Sequence, residues 1–138
     1  TQGVSSAASD VYKRQRPFHT IIPAFLMKDA DPVMSFGLMA SSMQAQGHTQ
    51  LMVRYADVGQ NPQAAIDAPR WRIDTGLKVN IEQGFAPAVY EELARRGHQL
   101  APGPRTSTDF GRAQAIHRMP GGYLAASEWR TDGQAVGF

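Results

Sequence analysis

The chain has no cysteine, no long apolar run and no marked excess of one charge sign, and each absence removes a class of protein. Without cysteine there is no disulfide framework and no thiolate chemistry, and the compartment is left open. No apolar stretch approaches the roughly 20 residues that a membrane helix needs. Basic and acidic residues number 14 and 12, a formal net charge of +2. No Lys/Arg run or basic helix face accompanies that balance, so a nucleic-acid partner is not indicated. The four histidines (His19, His48, His98 and His117) are scattered without metal-ligand spacing, which argues against a zinc site. A length of 138 residues suits one small domain.

Alternating strand and helix signals fill most of the chain. His19 to Leu26 is rich in β-branched and apolar residues and predicts a strand. Residues 28 to 32 are turn chemistry, with Asp29, Asp31 and Pro32. Val33 to Met39 predicts a second strand, and the two strands an antiparallel hairpin. Ser41 or Ser42 then offers a helix cap. Leu51, Met52, Tyr55 and Val58 fall on one helical face, and Gly59 is a stop. Asn61-Pro62 starts a short helix that Pro69 ends.

Leu77 to Ile81 alternates like a half-buried strand, and Ala86 to Arg96 predicts a helix capped by Gly97. Glu91–Arg95 and Glu92–Arg96 are spaced as i,i+4 pairs on it. Ala101 to Asp109 reads as a loop. Ala113 to His117 and Tyr123 to Ser127 read as a hairpin around Pro120-Gly-Gly122. Strand pairs alternating with helices predict layered α and β elements, an α/β (α+β) fold of antiparallel strands with flanking helices.

Residues 1 to 15 stand apart. Ser5 to Gln15 back-translates to a string that resembles the adapter of a transposon-based sequencing library. They are read as a non-native leader and set aside, and Thr1 is given no catalytic role. The leader takes Asp10, Lys13 and Arg14 with it, which leaves the remainder close to neutral.

Three phrases then follow in order: Arg16-Pro-Phe-His-Thr-Ile-Ile-Pro-Ala-Phe25, Met43-Gln-Ala-Gln-Gly-His48 and Asn61-Pro-Gln-Ala-Ala-Ile-Asp-Ala-Pro-Arg-Trp71. Phe110-Gly-Arg112 and the tail from Arg130 to Phe138 add to them. Together they resemble the C-terminal part of the small subunit of the γ-glutamyltransferase (γ-glutamyltranspeptidase) family of N-terminal-nucleophile hydrolases. The resemblance implies part of a four-layer αββα sandwich, with residues 16–138 as the C-terminal portion of the small-subunit domain. It implies an N-terminal Thr whose hydroxyl attacks a γ-glutamyl carbonyl, with its own α-amine as base. No metal or organic cofactor is implied. The partners implied are a small-molecule γ-glutamyl substrate such as glutathione, the rest of the small subunit and the large subunit.

The resemblance carries two functions into this sequence. His19 and Thr20 match the positions that hold the substrate's α-carboxylate, where many bacterial members have Ser-Ser. Ala40 and Ser41 match a Gly-Gly pair whose backbone N–H groups form the oxyanion hole. Glycine there permits positive φ and close approach, so Ala40-Ser41 is a departure that opens room for another acyl group. The nucleophilic Thr has no match after Arg16, so the chain alone is expected to be inactive and marginally stable.

A parent that transfers or hydrolyses γ-glutamyl groups is the leading expectation. The alternatives are a related cephalosporin or glutaryl acylase and a non-catalytic piece. His48, Asp67, Arg70 and Trp71 are expected to be structural, with Asp67–Arg70 as a local ion pair.

Overall fold

The computed structural model describes residues 21–104 and 107–137. His19 and Thr20 lie outside the described residues. The first hairpin is present, with β1 over Ala24–Lys28 and β2 over Asp31–Met39. The described part of the expected first strand begins later than the sequence suggests, since Ile21 to Pro23 are not in a strand. Asp29 takes the turn with φ 55°, a conformation aspartate tolerates better than most residues. Pro32 does enter β2, opposite Met27, beside a register shift between Leu26 and Met27. The β2–β6 pairing given below begins only at Met34, so the missing N–H of Pro32 interrupts no central ladder.

A four-stranded antiparallel sheet forms in the order β1-β2-β6-β7, with β6 over Arg112–Met119 and β7 over Gly122–Ser127. This second hairpin turns at Pro120-Gly121 as its composition predicts, with Gly121 at φ 82°. Period-two alternation splits the sheet into two unlike faces. Met34, Phe36, Leu38, Ala113, Ala115 and Ala126 point inward and are buried. Helix α1 (Gln44–Met52) contributes Leu51 to this core, and α2 (Pro62–Asp67) contributes Ala65 and Ile66. Phe25, Met39, Ile116 and Tyr123 are exposed, with Tyr123 at 77%.

The smaller sheet runs β3-β4-β5, over Trp71–Ile73, Lys78–Glu82 and Gln99–Gly103. β4 and β5 are parallel, so the expectation of antiparallel strands holds for the large sheet and for β3–β4 only. A parallel pair needs a crossover, and α3 (Pro87–Arg95) supplies it. Gly97 ends that helix at φ 92°, as expected. Glu92, rather than two separate glutamates, pairs with both Arg95 and Arg96, at 2.7 and 2.6 Å. β5 occupies part of the segment read as a loop. Its Pro102 sits on an edge strand, where proline is tolerated and alternation is weak.

Asn61 caps α2 as its sequence predicts, accepting from the Ala64 N–H at 2.9 Å. Neither Ser41 nor Ser42 caps α1. A short 3-10 turn, Ser41–Met43, precedes that helix without a side-chain cap, and Gln44 donates instead to the Ser41 carbonyl. Beyond Met52 the helix widens to a π turn over Val53–Asp57, which carries Val58 out to 64% exposure.

Candidate active site

The candidate site lies where β2 gives way to α1, and four buried charges hold that junction from behind. The β1–β2 pairing stops at Ala24–Phe36, so among the described residues no strand pairs with the β1 side of β2 beyond Phe36. His48 fills the gap. Its Nε2 accepts the Leu38 N–H at 3.0 Å, which fixes Nε2 as the unprotonated nitrogen. Burial lowers its pKa and favours that neutral form. Gly47 lets the helix lie close to this strand, since a Cβ there would come 2.6 Å from Leu38 Cδ1.

Two glutamines on the same helix do the same for β3. Gln50 accepts from the Trp71 N–H at 3.0 Å and donates to the Trp71 carbonyl at 2.8 Å. Gln46, one turn earlier, holds the Ile73 N–H and carbonyl at 2.8 and 3.2 Å. Gln63 on α2 grips Ser127 in the same manner, at 3.0 and 2.9 Å. The phrase Gln46-Gly47-His48 is therefore structural, as expected: its side chains act as surrogate strands.

The chain leaves β2 through Ala40 and enters Ser41 at φ 48°. That is left-handed backbone, which costs a non-glycine residue roughly 1–2 kcal/mol. Ser41 thus has the kind of backbone conformation that glycine would adopt freely. Behind it, Gly111 has φ 82°, and a Cβ there would lie 2.4 Å from Leu38 Cδ2 and 3.0 Å from Ala40 Cβ. Both conformation and space demand glycine at 111.

Arg70 fastens this contact by donating from Nη1 to the carbonyls of Phe110 and Gly111, at 3.1 and 2.9 Å. Its ion pair is with Glu128 at 2.7 Å rather than the neighbouring Asp67. Asp67 accepts from Gln63 Nε2 at 2.9 Å. Arg130 completes the cluster. It meets Glu82 through two bonds of 2.7 and 2.6 Å and Glu128 through one of 2.6 Å. All four side chains are buried, and their charges cancel. Glu82 ends β4 and Glu128 follows β7, so the cluster ties the two sheets together.

Burial pushes the Glu128 carboxyl up, but Arg70, the Ala113 N–H and Arg130 outweigh it and hold the group below its usual range. Burial also pulls both guanidinium groups down. For Arg70 this prevails over Glu128, whereas Glu82 and Glu128 together leave Arg130 above its ordinary value.

In front of the Ala40-Ser41 turn lies an open cleft of ≈ 460 Å³, lined by Ala40, Ser41, Ser42, Arg72, Asp109 and Arg112 among others. The sequence drew attention to Ala40 and Ser41 here and missed the two arginines. Arg112 sits in a phrase noted only for resemblance, and Arg72 follows a flagged tryptophan. Buried Glu82 and Glu128 were missed as well, because nothing in their local pattern marks them as internal. Among the described residues, no group of three or more histidines, aspartates or glutamates could hold a metal ion.

The model of γ-glutamyltranspeptidases matches residues 2–138. The chain belongs to the γ-glutamyltranspeptidase family. It is 33% identical over 130 residues to the oxamate amidohydrolase proenzyme of Klebsiella pneumoniae subsp. pneumoniae, covering 90% of this chain and 25% of that protein. It is also 33% identical over 133 residues to the glutathione hydrolase-like YwrD proenzyme of Bacillus subtilis, covering 91% of this chain and 25% of that protein. The chain thus spans about a quarter of the length of these family members. Among solved structures it resembles the cephalosporin acylase of Bacillus halodurans, with TM-score 0.79 and 45% identity over 87% of this chain and 23% of that one. The T380A mutant of Helicobacter pylori γ-glutamyltranspeptidase shares the fold with TM-score 0.76 at 20% identity, over 86% of this chain and 65% of that one.

Proposed function

We propose that this chain is the C-terminal portion of an enzyme that transfers or hydrolyses an acyl group taken from an amide, through an acyl-enzyme on an N-terminal Thr outside this sequence. The observation that carries the reading is Ser41 at φ 48°, at the strand end that faces the cleft. N–H groups at the start of a helical turn have no acceptor within the turn, so those of Ser41 and Ser42 are suited to a developing oxyanion. Ala40 and Ser41 take the oxyanion-hole role in this proposal, and His19 and Thr20 the grip on the substrate's carboxylate. The partners are the rest of the small subunit and the large subunit. The second sheet of the sandwich would cover the apolar face bearing Phe25, Ile116 and Tyr123.

The family's γ-glutamyl group is the first candidate substrate, with glutathione as its common carrier. A glutaryl-type acylase is the second reading, favoured by the 45% identity to a cephalosporin acylase and by Ala40-Ser41 in place of Gly-Gly. The test uses the gene's whole precursor, supplied with glutathione and with a glutaryl amide. Release of amine from either, lost when the N-terminal Thr is replaced by Ala, supports the mechanism. A processed, folded precursor that cleaves neither would sink it.

A further inference from the structure

We propose that His48 is a positioning residue for the amide-cleaving reaction, and that its bond to the Leu38 N–H holds the Ser41 turn in the conformation that aims the Ser41 and Ser42 N–H groups into the cleft. The inference rests on the amide-cleaving function above and adds to it a residue that is not part of the cleft lining.

Three observations converge. First, the turn lacks the usual local support. Ser41 holds φ 48° without being glycine, and such backbone persists only where its surroundings over-determine it. Neither the 3-10 turn nor α1 has a side-chain cap at its N-terminus, so the constraint comes from outside the cap.

Secondly, one face of α1 grips the chain on both sides of Ala40. Gln44 and His48 stand one helical turn apart and share that face. Gln44 Nε2 donates to the Ser41 carbonyl at 3.2 Å, and His48 Nε2 accepts the Leu38 N–H at 3.0 Å. Only Met39 and Ala40 lie between the two gripped residues. The β6 ladder holds the opposite edge of β2 as far as Met39, and on the other edge His48 takes over where β1 stops. The imidazole stands edge-on to the Phe36 ring, with centroids 5.4 Å apart, which orients Nε2.

Thirdly, Leu38 is boxed in beside the turn. A Cβ at position 47 would come 2.6 Å from its Cδ1, and one at position 111 would come 2.4 Å from its Cδ2 and 3.0 Å from Ala40 Cβ. Close packing of this kind fixes where Leu38 sits. The bond to His48 adds direction, because it sets the tilt of the peptide plane that leads into Ala40. Oxyanion donors act in the transition state, and a displacement of about 1 Å can cost roughly a hundredfold in rate. Loss of the bond therefore falls on kcat rather than on KM.

The test compares the parent with His48→Gln and His48→Asn. Glutamine brings an amide oxygen close to the place of Nε2 and keeps the acceptor. Asparagine is too short and keeps only the polarity; His48→Met takes its place should that variant fail to fold. In the ¹⁵N-labelled 138-residue chain, His48→Asn is expected to speed hydrogen exchange at the Leu38 amide about tenfold and to shift the Ser41 and Ser42 amide resonances. Trp71, which Gln50 holds from the same helix, is expected to keep its protection. In the whole precursor, with whichever amide the parent cleaves, His48→Asn is expected to lower kcat about tenfold and leave KM within about twofold. His48→Gln is expected to recover most of both the kcat and the Leu38 protection.

Parent kcat in a folded His48→Asn precursor, a rise in KM alone, a His48→Gln enzyme as slow as His48→Asn, or loss of Trp71 protection together with that of Leu38 would each overturn the proposal. The two readings fail separately. A parent precursor that cleaves no amide sinks the function itself. A precursor that cleaves amides at an unchanged rate with Asn at position 48 leaves the function standing and removes this role.

Discussion

The chain uses Arg and Glu twice, in opposite ways. Glu92, Arg95 and Arg96 form ion pairs of 2.6–2.7 Å on the outer side of α3, with side chains 41–72% exposed. Arg70, Glu82, Glu128 and Arg130 form pairs of the same length with side chains at most 3% exposed. Distance is equal and consequence is not. Around α3, water solvates whatever the pairing leaves over, and salt screens the rest. Inside, each charge has given up its hydration and depends on its partners. The buried set also satisfies main-chain groups of both sheets, including the Arg70 N–H at 2.6 Å and the Ala113 N–H at 2.8 Å.

The sharpest way to break the comparison is Glu128→Gln. It removes the negative charge between two buried arginines and is expected to destabilise the chain by about 3–5 kcal/mol, measured by urea unfolding. Retention of wild-type stability would mean that water or a rearranged Glu82 replaces Glu128.

Acid gives a second test. The folded Glu128 carboxyl sits below its ordinary value of 4.5, so its stabilisation is complete above that pH and is lost as pH falls through the folded value. The urea midpoint should fall below pH 4.5, and much of that fall should be absent in Glu128→Gln. Glu92 is also depressed, to about 2, by Arg95 and Arg96. Its share should vanish in high salt, whereas that of Glu128 should persist.

A smaller effect is expected from Gln50→Ala, which frees the N–H and carbonyl of Trp71. The cost should be about 1–2 kcal/mol, with faster hydrogen exchange at Trp71. Protection at Trp71 equal to that of the parent chain would show that β3 is held there without the Gln50 grip. The smallest is Glu92→Gln, which should leave the melting temperature unchanged at physiological salt. A drop of several degrees would place α3 among the elements the core depends on.

What the sequence displayed was local. The β1–β2 and β6–β7 hairpins, the Asn61 cap and the Gly97 stop were all legible, because each is decided by neighbours a few residues apart. β3 was missed because its three residues carry little pattern and are held partly by side chains 21 and 27 positions earlier. β5 was hidden by Pro102, and its parallel partner is reached only across α3. The family phrases did pick out Arg70 and Arg130, but Glu82 and Glu128 reach Arg70 from 12 and 58 residues away, and Glu82 reaches Arg130 from 48. The site was half visible for the same reason. Ala40 and Ser41 follow one another in sequence, whereas Arg72 and Arg112 meet only in the folded cleft.

The glutamine grips have a consequence for what the chain tolerates. On β3, Gln46 and Gln50 bond to main-chain groups and to no side chain, so their grip makes no demand on which side chains stand at 71 and 73. Any residue with an N–H to give satisfies the grip, and only proline defeats it. One helix turn of two amides thereby works as a ruler: it measures position along a neighbouring strand while leaving the lettering on that strand free to change.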